Sequence, residues 1–254
     1  VYLDMKSYII GIAGKRNSGK DTVASMINFI FRQGITKASY QEWLVRKEVH
    51  DATVADRIIH FADPLKDVLS IIYNIPREYF NDRKYKDELW YCLESGTFVT
   101  DKTVGTEKYN IISINDLYDG NSIADELATY SSINNVIKLR TLMQYFGTYI
   151  CRDKLNKDIW IRCAVSKIID KAESRRLCIV PDVRFANEAN ALRISNDSFY
   201  GGVIEVRRND AGNTDNHDSE IIDFIVDEVI ENNGTKMALF YKVLNYVEFI
   251  VNKK

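Results

Sequence analysis

The stretch Ile9-Ile-Gly-Ile-Ala-Gly14-Lys15-Arg-Asn17-Ser18-Gly19-Lys20-Asp21-Thr22 is an apolar run that breaks into a glycine-bounded loop and then into a helical pattern. Gly14, four residues, Gly19 and Lys20 keep the spacing of a phosphate-binding P-loop, with Asp21 where Ser or Thr usually stands and Thr22 next to it. Tyr8 to Ala13 is apolar and rich in Ile, which predicts a short buried strand. Behind the loop, Val23, Ala24, Ile27, Ile30 and Phe31 recur at the three- and four-residue steps of one helix face. A helix that opens directly behind a glycine loop aims unpaired N–H groups, and the positive end of its dipole, into that loop. Lys20 adds a mobile positive charge. An ordinary glycine-bearing βα turn is the plainer reading. The coincidence of strand, spacing, lysine and helix favours a phosphate loop.

Composition narrows what such a loop can serve. With 254 residues, 46% of them hydrophobic, the chain can bury a sizeable core. Lys+Arg 34 against Asp+Glu 36 gives 34 − 36 = −2, so no bulk positive field exists to hold a nucleic-acid backbone. Small anions must be met by local clusters. Cys92, Cys151, Cys163 and Cys178 are scattered without a Cys-x-x-Cys pair, as expected for reduced thiols in a cytoplasmic protein and not for a zinc site. No apolar stretch approaches the ~18 residues of a membrane span.

Further stretches carry candidate chemistry. Arg57 to Phe61 predicts a second strand, followed by Asp63-Pro64-Leu65-Lys66 at the start of a helix. Asp63 reads as its N-cap, and Lys66 as an anion contact at the strand end where a second substrate would lie. Residues 81–88 are dense in charge, a solvated helix face or a lobe. Residues 92–135 change to Gly, Asn and Ser with short alternating pieces, Tyr109 to Ile114 suggesting a hairpin, and read as an insertion. Arg140 and Gln144, four apart, share one face of a predicted helix. Arg can grip a phosphate with a planar fork, and Gln can meet the edge of a base; a solvent-facing polar pair is the alternative.

Asp158 to Ile169 predicts an amphipathic helix on which Trp160 is either core or a flank for a base. Leu177 to Asp182 predicts a buried strand ending in a carboxylate, suited to holding magnesium or, alternatively, to capping the helix that follows with Arg184. Gly202 to Arg207 gives another strand, whose end carries Arg207 and Arg208. His217 stands alone in a polar loop, Phe224 to Ile230 gives a fifth strand, and Lys236 to Val251 a closing helix.

Taken together, the chain resembles the deoxynucleoside monophosphate kinases of tailed bacteriophages, a branch of the P-loop nucleoside monophosphate kinases. The residues that carry the resemblance are 14–22, ending Gly-Lys-Asp-Thr; Phe-Ala-Asp-Pro-Leu-Lys at 61–66; and Arg-Thr-Leu-Met-Gln-Tyr-Phe-Gly-Thr at 140–148. Asp-Val-Arg-Phe-Ala-Asn-Glu at 182–188 and His-Asp-Ser-Glu at 217–220 complete the set. It implies a three-layer α/β/α fold with a five-stranded parallel sheet in the order 2-3-1-4-5, in a single domain of residues 1–254 with a lid or substrate lobe inserted at 81–135.

The implied activity is transfer of the ATP γ-phosphoryl group to a deoxynucleoside monophosphate with Mg2+. In that scheme Gly14, Lys15, Asn17, Ser18, Gly19 and Lys20 hold the ATP phosphates, and Arg207 or Arg208 closes over them. Asp21, Thr22 and Asp182 hold the metal. Arg140 clamps the acceptor phosphate and Gln144 the base, with Asp63, Lys66, Trp160 and Arg184 beside them. The implied partners are small nucleotides, with no nucleic acid and no membrane, in the host cytoplasm; the assembly stays open, a homodimer included. A P-loop kinase for another acceptor, of the dephospho-coenzyme A kinase type, and a non-catalytic ATP-binding switch are the competing readings.

Overall fold

The structure, a computed structural model, describes residues 6–46, 56–100, 104, 109–111, 134–209 and 222–252. In chain order its elements begin with β1 (Ser7–Ala13), α1 (Lys20–Gln33), α2 (Asp63–Tyr73), β2 (Trp90–Cys92), β3 (Phe98–Val99), β4 (Tyr109–Ile111) and β5 (Asn134–Lys138). They continue with α3 (Leu139–Gln144), which runs into a π-helical stretch (Tyr145–Leu155), then α4 (Ile159–Arg175), β6 (Leu177–Val183), α5 (Ala186–Leu192), β7 (Phe199–Arg207), β8 (Glu228–Glu231) and α6 (Lys236–Asn252). The chain divides into two compact units, residues 1–61 with 161–254, and residues 62–160.

In the first unit, β6-β1-β7-β8 form a parallel sheet with β1 inside it. Strand alternation sends successive side chains to opposite faces. Tyr8, Ile10 and Ile12 of β1 join Val23 to Ile30 of α1 and Leu239, Phe240 and Val243 of α6 on one face. Ile9 and Ala13 join Ile161, Ala164 and Ile168 of α4 and Ala189 and Leu192 of α5 on the other. Helices therefore cover both faces of a sheet whose central strand is buried along its whole length, as near-continuous apolar runs require. At Gly11 a Cβ would come within 2.7 Å of Leu192 Cδ1, so the missing side chain lets α5 pack close.

Among the described residues the parallel sheet has four strands, and Arg57 to Phe61 adds only the bridge Ile58↔Ile179. Its hydrogen bonds are Ile59 N–H to Ile179 O at 3.0 Å and Ile179 N–H to Arg57 O at 2.8 Å. The predicted strand from Phe224 begins at Glu228 instead. Before it, Asp227 Oδ2 takes the Val203 N–H at 2.7 Å, a bond that a strand carbonyl would otherwise make. Helix α1 is also more deeply enclosed than a one-faced pattern predicts, since Val23 through Ile30 are all buried. Its two polar members there each accept a side-chain hydrogen bond, Ser25 Oγ from Trp43 Nε1 and Asn28 Oδ1 from Arg57.

The second unit carries a small sheet in the order β3-β2-β5-β4. β2 and β3 form a hairpin whose turn holds Gly96 at φ +65°, a left-handed conformation natural to glycine. Tyr109–Ile111 pairs in parallel with Asn134–Val136, a pairing that a local hairpin cannot make, so the hairpin expected over 109–114 is not formed by its described part. Residues 112–133 of the predicted insertion lie outside the described residues. The unit's core gathers Leu65 and Leu69 of α2, Phe80, Tyr91, Ile137, Leu139, Leu142 and Trp160.

Candidate functional site

In the first unit the chain leaves β1 at Ala13 and turns through Gly14 at φ +148°, Asn17 at φ +63° and Gly19 at φ +103° before α1 begins at Lys20. The glycines are required on two counts. Left-handed backbone disfavours a side chain, and a Cβ on Gly14 would meet Val206 O at 2.6 Å and Ser18 Oγ at 2.7 Å. Asn17 is a residue type that tolerates such a conformation. Lys20 folds back over the loop, its Nζ donating to Gly14 O and, at 2.8 Å, to Lys15 O. The loop thus presents a helix N-terminus and an ammonium group together, the arrangement that favours a bound anion.

Ser18 is 1% exposed, and among the described residues its hydroxyl has no hydrogen-bond partner. Asp21 is exposed in the first turn of α1, and Thr22 beside it is half-buried.

Asp182 lies one residue inside the end of β6, and its Oδ1 accepts the Phe61 N–H at 3.1 Å. The start of α5 is capped instead by Glu188, which accepts the N–H groups of Arg184 and Phe185 at 2.8 and 3.2 Å. Arg207 at the end of β7 is held by Glu205 at 2.7 and 3.0 Å, a carboxylate that keeps its guanidinium charged. Arg208 is exposed. His217 lies outside the described residues.

In the second unit Asp63 is the first residue of α2 and not its N-cap, a place taken by Ala62. The Asp63 carboxylate is engaged elsewhere, accepting from Lys66 Nζ at 3.2 Å and Arg77 Nη2 at 2.9 Å. Lys66 is buried and also donates to Asn81 Oδ1 at 3.0 Å. Arg140 on α3 pairs with Asp87, and Gln144 stands half-buried one turn further on. Trp160 is 7% exposed, with its indole N–H donated to Gly147 O at 3.0 Å, so the structure places it in the core.

Asn81, Asp87 and Glu205, which hold Lys66, Arg140 and Arg207 in place, were not singled out by the sequence. The charge-dense segment 81–88 contained a signal for the first two, but its pattern fits a solvated face equally well. Among the described residues no three of His, Cys, Asp or Glu gather as a ready-made metal cluster, and no helix is long and apolar enough to cross a membrane.

A parallel sheet whose inner strand feeds a glycine loop and a helix N-terminus is the framework of nucleotide-handling α/β proteins. Comparison with known proteins makes the class specific. A family model described as deoxynucleotide monophosphate kinase matches residues 85–243, more than half of the chain, and the chain belongs to that family. Membership carries the activity class, a kinase acting on deoxynucleoside monophosphates. The deoxynucleoside-5'-monophosphate kinase of Escherichia phage T5 is 24% identical over 213 residues, spanning 78% of each chain. The glycine loop at 14–22 precedes the span matched by the family model.

Proposed function

We propose that the protein transfers the γ-phosphoryl group of ATP to the 5′-phosphate of a deoxynucleoside monophosphate, releasing ADP and a deoxynucleoside diphosphate. The observation that carries the ATP reading is the loop of residues 14–22, where Lys20 reaches over the carbonyls of Gly14 and Lys15 at the N-terminus of α1. Loop N–H groups, with Ser18, would receive the donor phosphates, and Lys20 would leave its carbonyl partners for the β and γ oxygens. Phosphoryl transfer asks a protein mainly to align donor and acceptor and to neutralise charge. Arg140 is proposed to grip the acceptor phosphate and Gln144 the base, with Lys66, Asp63 and Arg184 adding charge and orientation. Trp160 supports α3 from the core, and Arg207 attends the donor.

Magnesium keeps several waters and needs only one or two carboxylates besides phosphate oxygens. Asp182, Asp21 and Thr22 offer that donor set, and the metal they would hold supplies charge neutralisation at the transferring group. Residues 81–135 are proposed to act as an inserted substrate lobe, and residues 57–61 as the marginal fifth strand of the parallel sheet. A host cytoplasm is the proposed place of work.

An ADP-release assay over dTMP, dGMP, dCMP and dAMP, with ATP and Mg2+, tests the reading. Turnover with at least one of them is expected. Turnover with none, and with another small acceptor instead, overturns it.

A further inference from the structure

Asn232 follows β8, and its contacts converge on the glycine loop. Its Nδ2 donates to the Ser18 carbonyl at 2.7 Å, across 214 residues of sequence. Its own N–H donates to Arg207 O at 2.7 Å. A Cβ on Gly19 would approach that same Nδ2 to 2.5 Å, so the amide is seated directly against the loop. In a planar trans peptide the C=O and the following N–H point in opposite directions. Holding the Ser18 carbonyl toward Asn232 therefore aims the Gly19 N–H away from it. Glycine at φ +103° accepts left-handed and right-handed backbone about equally, so nothing intrinsic to Gly19 stops this peptide from flipping. A flipped peptide would present a carbonyl oxygen, and not an N–H, to an anion in the loop.

We propose that Asn232 is a positioning residue for the donor nucleotide. It locks the Ser18–Gly19 peptide so that the Gly19 N–H serves the phosphates, and it ties this lock to the backbone of Arg207. The inference rests on reading residues 14–22 as the donor-phosphate loop.

The test compares Asn232→Ala and Asn232→Asp with the wild-type chain. ADP binding is measured by calorimetry without acceptor, and KM is measured for ATP and for the best deoxynucleoside monophosphate. Losing one hydrogen bond predicts a rise of roughly 3- to 10-fold in the ADP Kd for Asn232→Ala. A larger rise is expected for Asn232→Asp, whose carboxylate repels the Ser18 carbonyl. The KM for ATP should follow, while the acceptor KM stays within about twofold. Unchanged ADP binding in both variants overturns the inference, as does an equal rise in both KM values accompanied by a lowered Tm. Lys20→Ala separates the two levels of the argument. If it binds ADP and turns over like wild type, the phosphate-loop reading itself falls; if it loses ADP while both Asn232 variants keep it, only the role of Asn232 falls.

Discussion

Arg140 and Asp87 form a side-on ion pair in which Nε donates to Oδ1 at 2.6 Å and Nη2 to Oδ2 at 3.1 Å. The carboxylate is the more enclosed partner, its side chain 16% exposed against 32% for the arginine. Two parallel charge-assisted bonds fix the plane of a guanidinium as well as its position. Arg140→Ala should therefore raise the KM for the deoxynucleoside monophosphate by at least about tenfold, the scale of a lost charged hydrogen bond, and affect the ATP KM much less. Asp87→Asn should give a smaller shift of the same selectivity. Steady-state kinetics with each substrate varied checks both; equal losses for ATP and acceptor would place Arg140 elsewhere, and tighter acceptor binding in Asp87→Asn would make Asp87 a competitor of the phosphate.

Asp182 combines a proposed metal role with a structural one, because its Oδ1 receives the Phe61 N–H. Asn at this position keeps a carbonyl oxygen for that bond and removes the charge. Asp182→Asn should lose activity by about 100-fold or more if the charge stabilises the transition state, with the Tm within a few degrees of wild type. Asp182→Ala should lower both. Retained activity in the Asn variant, at saturating magnesium, would remove Asp182 from the proposed metal set.

Gly147 packs against Leu65, where a Cβ would lie 2.6 Å from Leu65 Cδ2, and its carbonyl accepts the Trp160 indole N–H. Gly147→Ala should destabilise the protein by about 1–3 kcal/mol through overpacking, read as a lower urea midpoint. Adding Leu65→Val should recover part of the loss, since residues in contact are not additive. Full additivity would show that the clash relaxes elsewhere.

Burial pushes the Cys178 thiol up to about 12, an effect that Lys171 only partly opposes, and burial also raises the Tyr246 phenol. Both groups lose their protons more easily in the unfolded chain. Above the ordinary thiol range, about 8.5, the unfolded state therefore holds fewer protons than the folded one. Their stabilisation is complete below that range and declines as pH rises toward about 12. Urea midpoints should fall between pH 8 and 10.5, and Cys178→Ala should flatten the fall. At pH 8, brief alkylation followed by mass spectrometry should label the exposed Cys163 and spare Cys178.

Much of the first unit was legible because its determinants are local. A run of β-branched residues ending in glycine gives β1, apolar three- and four-residue steps give α1 and α6, and the glycines of the loop answer to backbone angles at their own positions. The same local words carried the family, which the match over residues 85–243 then showed. What the sequence could not specify was which polar groups would meet. Asp87 reaches Arg140 across 53 residues and Asn232 reaches Ser18 across 214, and neither pairing has a periodic or spacing signature. The marginal strand at 57–61 and the late start of β8 were hidden for a related reason. Apolar patterning says that a segment can pair, whereas side chains such as Asp227, brought in by packing, decide which backbone bonds are taken. Sequence by itself thus determined the buried sheet, the glycine loop and the helix behind it, since short-range sterics and hydrophobic period act within a few residues. Only the tertiary structure decided the carboxylate and amide partners that hold the candidate cations and loop in place, because hydrogen-bond satisfaction is settled among groups that meet after the chain has folded.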